Sequence, residues 1–228
     1  MSLNLVREID DRVRVRHALV SVWDKTGLDT LVQCLAALVP DIRIYSTGGT
    51  LDAIRKQLGP EAGKHAVSVS DYTGQPEMQG GLVKTLDFKI YLGLLGETYN
   101  DAHRQDLARA GAVPIDLVVV NLYPFQRTVA RSGVSPEEAR TNIDIGGPCM
   151  IRAAAKNYLR VAAVTDPDDY AGVLDELRRH DGTLGLETRF RLMQKAFAHT
   201  AAYDTAIAGF FGRTPPAAAR AAYTCHSS

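Results

Sequence analysis

The sequence predicts an α/β fold built on a mainly parallel sheet, and three observations carry that prediction. Apolar, strand-like runs alternate along the chain with helical patterns. One run, Leu117-Val118-Val119-Val120, is continuously apolar, as a strand buried on both faces must be. Polar and glycine-bearing segments follow the strand runs, at the carboxyl ends where open parallel sheets bind ligands.

The elements follow in order. His17 to Val22 reads as a strand, and Leu28, Leu31, Val32, Leu35 and Leu38 then recur at helical spacing. Ile42 to Tyr45 is a short strand, followed by Ser46-Thr47-Gly48-Gly49-Thr50 and a helix carrying Leu51, Ile54 and Leu58. Ala66 to Ser70 reads as a strand. Asp71 to Gly96 reads as one long irregular segment, of a length usually functional or disordered. Ala102 to Ala110 is a helix, Ile115 to Asn121 the Val-rich strand, and Arg160 to Thr165 a further strand. Asp166 caps the next helix with Pro167 at its first position, and Leu186, Phe190, Met193 and Phe197 mark a last long one. The expected organisation is an N-terminal segment 1–16, one domain over 17–212, and a disordered alanine- and proline-rich tail over 213–228.

Composition narrows the function. Lys+Arg and Asp+Glu number 26 each, so no excess positive charge favours nucleic acid or an anionic membrane. Any bound anion is expected to be small and held locally. Three cysteines without C-x-x-C spacing point to reduced thiols in a cytoplasmic protein, and the six histidines show no metal-ligand spacing. No secretory leader and no membrane-length apolar run is visible.

The most informative stretch is Asn142-Ile143-Asp144-Ile145-Gly146-Gly147-Pro148, which runs into an alanine-rich helix ending at Lys156. Pro148 suits a first helical position. The glycines leave backbone N–H groups bare at a helix start, where partial positive charge favours an anion or a developing oxyanion. Lys156 lies roughly 12 Å from Pro148 along the axis, part of which a side chain leaning toward the N-terminus recovers. On that reading Asp144 and Lys156 flank one small planar ligand; the plain alternative is a glycine turn before a buried helix. The segment at Thr47-Gly48-Gly49-Thr50 has the makings of a phosphate cradle or of an ordinary βα turn, and is neither a P-loop nor a dinucleotide fingerprint. Lys25 follows the first strand, either as a charge for that site or as a solvated cap. Gly80-Gly81-Leu82-Val83-Lys84-Thr85 can grip a phosphate or poise an amine, or can be an exposed loop. His199 reads as structural, and Tyr123 as a tyrosine capping the core.

Together these strings resemble one family. Ser21-Val22-x-Asp24-Lys25-Thr26-Gly27, Ser46-Thr47-Gly48-Gly49-Thr50, Val83-Lys84-Thr85-Leu86, Asp116 through Phe125, Asn142 through Pro148, Arg152-Ala153-Ala154-Ala155-Lys156-Asn157 and Lys195-Ala196-Phe197-x-His199-Thr200-Ala201-x-Tyr203-Asp204 occur in the family's order. The chain thus resembles the IMP cyclohydrolase domain of the bifunctional AICAR transformylase/IMP cyclohydrolase, from about Ala18 to Phe211. The resemblance implies a methylglyoxal-synthase-like, three-layer α/β/α fold. It implies a purine-biosynthesis activity, closure of a formamido-carboxamide nucleotide (FAICAR) to IMP, with no metal or organic cofactor. The substrate is a small-molecule nucleotide, a homodimer is expected, and a separate formyltransferase is expected to supply the substrate, since the transformylase domain is not seen. Lys84 and Tyr123 would serve the formyl group, and Asp144 and Lys156 the carboxamide. Ile145 and Gly146 would supply oxyanion donors. The phosphate would sit on Lys25, Thr47, Gly49, Thr50 and Thr85, with Ser21, Gly48 and Asn121 also in the substrate site. The chain departs from the family at Trp23 (serine there), Leu82 (arginine), Asp87-Phe88 (His-Pro) and Tyr91 (histidine). Trp23 and Leu82 therefore read as a reshaped substrate pocket. A ring-modified analogue such as a C-nucleoside intermediate of nucleoside-antibiotic synthesis would account for that. A regulatory nucleotide-binding module of the same fold is the rival reading.

Overall fold

The computed structural model describes residues 5–75 and 85–226. Its centre is a five-stranded parallel sheet in the order β4-β3-β2-β5-β6. The strands are β2 (His17–Val22), β3 (Arg43–Ser46), β4 (Ala66–Ser68), β5 (Leu117–Asn121) and β6 (Ala162–Val164). Successive side chains of a strand point to opposite faces, and here both faces are apolar. Ala18, Val20, Leu117, Val119, Ala162 and Val164 join one core cluster, with Leu31, Leu35 and Ile54. Leu19, Val118, Val120 and Ala163 join another, with Ile90, Ile151 and Phe125. A two-faced burial requires continuous apolar runs, and that is why these strands stood out in the sequence.

Helices α1 (Leu28–Leu38), α2 (Gly48–Leu58) and α10 (Tyr170–Arg179) cover the first face. Helices α5 (Phe88–Leu95), α7 (Phe125–Val129), α9 (Gly146–Lys156) and α11 (Leu186–Arg213) cover the second. The short helices α3 (Ala62–His65), α4 (Val69–Thr73), α6 (Asp101–Ala110) and α8 (Pro136–Thr141) lie in the connections. The three-layer α/β/α expectation holds. Among the described residues no helix is long and apolar enough to cross a membrane.

Five local expectations need correction. The strand expected over Ala66 to Ser70 stops at Ser68, because the Ser68 side chain accepts a hydrogen bond from the Asp71 N–H and starts α4. Asp71 to Gly96 is not wholly irregular, since Asp87 caps α5 through the Lys89 N–H. Asp166 does cap, but the first turn after it is a 3-10 turn, Pro167–Asp169, before α10 begins. Residues 1–16 are not all peripheral: β1 (Arg12–Arg14) pairs antiparallel with β7 (Thr183–Gly185). Part of the expected disordered tail forms α12 (Pro216–Ala221), and the Tyr223 hydroxyl donates to Glu137 on α8.

The pairing order places the ligand edge. From β2 the chain moves outward through β3 and β4, then returns to the other side of β2 with β5 and β6. The carboxyl ends of β2 and β5, where Val22 pairs with Asn121, therefore form the switch point of the sheet.

Candidate active site

A cleft of about 430 Å³ opens at that switch point. The loops after β2, β3 and β5 and the start of α9 all reach it. Ser21, Trp23, Lys25, Thr47, Gly48, Gly49, Thr50, Thr85, Asn121, Tyr123, Asp144, Ile145 and Gly146 line it together. Residues from Ser21 to Gly146 thus meet in one place. Lys84 and Leu82 lie outside the described residues; Thr85, beside Lys84, is on the cleft wall.

Two helix starts supply its electrostatics. Thr47 precedes α2 in extended backbone and does not cap it with its side chain. The first N–H groups of a helix have no intrahelical partner. Gly48 takes a left-handed φ of 48°, a conformation that favours glycine. At α9, Pro148 has no N–H, and the Gly147 N–H donates to Asp144 Oδ1 at 2.8 Å. Ile145 and Gly146, at the start of this helix, line the cleft. The Asp144 carboxyl is pushed above the usual carboxylate range by burial, against the pull of the Gly147 and Tyr123 N–H groups. There is no slack around it: a Cβ on Gly147 would lie 2.5 Å from Asp144 Oδ2 and 2.5 Å from Leu122 Cδ2.

Two residues expected to touch ligand are engaged with the framework. Asn121 Oδ1 accepts from the N–H groups of Trp23 (2.7 Å) and Asp24 (2.9 Å), and its Nδ2 donates to the Asp24 carbonyl (2.8 Å). The Thr50 hydroxyl accepts from the Val22 N–H and donates to the Val22 carbonyl. Both side chains fix the β2–α1 loop. Trp23 and Tyr123 stand at the rim, 46% and 49% exposed.

The structure does not bring Lys156 to this cleft. It ends the eleven-residue helix that Gly146 begins. Its side chain is exposed and lines a separate apolar groove with Phe88, Tyr91 and Leu95. A helix of that length runs about 16 Å, more than a lysine leaning back along its own axis can cover. Sequence reasoning also passed over Thr141 and Ile143 in the cleft wall, and Tyr203 behind it. His199, read as structural, lines a neighbouring hollow of about 270 Å³ that shares Trp23, Asn121 and Tyr123. Its Nε2 is buried without a hydrogen-bond partner among the described residues, and burial lowers the imidazole pKa.

Residues 27–149 match the family model of the MGS-like domain, which is more than half of the chain. The chain belongs to the MGS-like domain family. Residues 154–227 of this MGS-like protein match the model of the AICARFT/IMPCHase bienzyme. Over 197 residues, 86% of the chain, it is 50% identical to the bifunctional purine biosynthesis protein PurH of Magnetococcus marinus. The chain spans about a third of that relative, 36% of its length. It also resembles the crystal structure of ForH, with a TM-score of 0.71 and 33% identity, covering 86% of this chain and 99% of that one. The expected relationship to the cyclohydrolase domain of the bifunctional enzyme and the expected fold both hold.

Proposed function

We propose that this MGS-like protein is a cyclohydrolase that closes the six-membered ring of a purine-type nucleotide. One observation carries the reading: a half-buried carboxylate, Asp144, shares a single cleft with the start of α2, which no side chain caps, and with the start of α9, from whose Gly147 N–H it accepts. A nucleotide with a phosphate at one end and a developing oxyanion at the other needs two such positive ends. Relationship to the AICARFT/IMPCHase bienzyme and to PurH supports the same reaction class.

The α2 start, with Lys25, Thr47 and Thr85, holds the phosphate. Asp144 takes one proton from the carboxamide nitrogen as that nitrogen bonds to the formyl carbon. The formyl oxygen gathers negative charge, which the Ile145 and Gly146 N–H groups stabilise. That oxygen is protonated to a hydroxyl and leaves with a second proton as water. The formamido nitrogen loses its N–H, and a C=N bond closes the ring. Tyr123 and Lys84 serve this departing hydroxyl. Lys156 is left out of the scheme, since its own subunit's helix points it elsewhere. The substrate is already formylated, so a separate formyl-transfer reaction must supply it. Dimerisation is the expectation the family carries.

Purified protein incubated with FAICAR should develop purine absorbance, with the rate unaffected by a chelator, because the steps are proton transfers and charge stabilisation. No turnover on any formamido-carboxamide nucleotide, with mononucleotide binding intact, would favour the regulatory module.

The natural substrate is a relative of FAICAR with an altered ring, because Trp23 puts an indole at the cleft mouth. Trp23→Ser with Leu82→Arg should tighten FAICAR binding about tenfold or more, the scale of one charged hydrogen bond. It should weaken the native ligand at the same time. Calorimetry with FAICAR and its C-nucleoside counterpart checks this; equal, unchanged affinities would place Trp23 outside recognition.

A further inference from the structure

We infer that Tyr203 is a positioning residue for Asp144, acting from the helix behind the cleft. The inference rests on the role proposed above for Asp144. Residues 142–145 link α8 to α9 and carry the carboxylate, and no strand pairing holds them. The Asn142 and Ile143 N–H groups tie them back to α8, and the Tyr203 hydroxyl ties their far end to α11. It accepts a hydrogen bond from the Asp144 N–H at 2.8 Å and donates one to the Asn142 carbonyl at 3.2 Å. One hydroxyl thereby pins both sides of Ile143, a cleft residue.

The anchor is itself immobile. Tyr203 is buried, with its ring edge-on to Phe125 at a centroid distance of 6.2 Å. Its helix, α11, is fixed at two further places. Lys195 and Arg191 both pair with the buried Asp169, at 2.5 and 3.1 Å. The Arg189 guanidinium is bound by backbone carbonyls. The far side of the carboxylate is crowded by Gly147 and Leu122. A backbone shift of a few tenths of an ångström at Asp144 therefore changes where its oxygens point. This assigns a purpose to Tyr203 of the Lys195-to-Asp204 motif, a residue that lines the neighbouring hollow and not the main cleft.

Tyr203→Phe removes the hydroxyl and keeps the packing. We expect kcat to fall about ten- to a hundredfold, with mononucleotide affinity within about threefold of wild type. In an Asp144→Asn background the same change should cost less than about threefold, since two groups that act as one are non-additive. A merely structural tyrosine would lower the melting temperature and leave kcat per folded molecule unchanged. The amide exchange rate and the carboxyl carbon resonance of Asp144 provide a readout that does not need turnover. Both should move in Tyr203→Phe. Unchanged kcat, multiplicative effects in the double variant, or an unmoved Asp144 signal would each overturn the inference. Should wild-type protein turn over no substrate, the proposed function falls and the Asp144 signal alone decides the positioning role. If Tyr203→Phe does not fold, 3-fluorotyrosine at position 203 retains the packing and weakens the hydroxyl as an acceptor. It must still move the Asp144 signal, or the inference fails.

Discussion

Asp144→Asn is expected to lower turnover at least about a hundredfold, the scale for losing a positioned proton acceptor. Asparagine keeps an oxygen for the Gly147 N–H and occupies the same crowded space, so the loop should survive the change. What disappears is basicity. Burial raises the Asp144 pKa, so the carboxylate ionises at higher pH than an exposed aspartate does. Activity in the wild type should therefore rise through an acidic limb above the ordinary carboxylate range, and Asp144→Asn should lack that limb. The sign for stability is opposite. A folded-state pKa raised above the unfolded value means the folded protein holds its proton more tightly. Stability from this group is present below the unfolded pKa and lost as pH rises through the folded one. At neutral pH the asparagine variant should thus melt no lower than wild type, and slightly higher if the amide packs as the carboxylate does. A variant with near-normal kcat/KM, correctly folded, would show that Asp144 does not carry the proton transfer.

The second large effect concerns stability. Arg189 is 1% exposed and its guanidinium donates to five carbonyls: Tyr158, Asp11, Leu184, Asp10 and Leu159. These belong to the N-terminal segment, to β7, and to the turn between α9 and β6. A fork of five donors suits that task, and three donors on a flexible stem do not. Arg189→Met should cost about 3–5 kcal/mol, because it strands buried carbonyls and unpins β1 and β7. Against a total stability of about 5–15 kcal/mol, that leaves a marginal fold. Arg189→Lys should recover little of it. Urea denaturation of the three proteins tests this, and a lysine variant melting with wild type would refute the account.

The sheet was legible because both its faces are buried, which writes itself into the chain as unbroken apolar runs such as Leu117 to Val120. β1 and β7 were not legible: a three-residue strand containing Arg12 and Arg14 has no periodicity to detect. α5 was hidden by reading its surroundings as one glycine-rich stretch, although Asp87 and the Ile90–Leu94 spacing mark a capped helix. In the cleft, the glycine-bearing turns and their polar neighbours were found because strand ends announce where a parallel sheet binds. What sequence could not separate was which side chains face ligand and which face their own backbone. Thr50 and Asn121 read as donors to a substrate, and they spend their polar atoms on residues 22–24. Lys156 misled for a related reason. Spacing along one helix is a good guide to a face, and a poor guide to the distance between its two ends.

The Asn121 clamp has an evolutionary consequence. Its three hydrogen bonds grip only main-chain atoms at positions 23 and 24. The scaffold is therefore indifferent to the side chain carried at position 23, which projects at the mouth of the cleft. A serine, a tryptophan or any other residue compatible with that path can be installed there without redesigning the loop. Selection for a new ligand can act on this one codon while folding is left alone. A saturation library at position 23 should accordingly yield mostly well-folded proteins that differ in ligand preference. Position 121, screened the same way, should tolerate almost nothing.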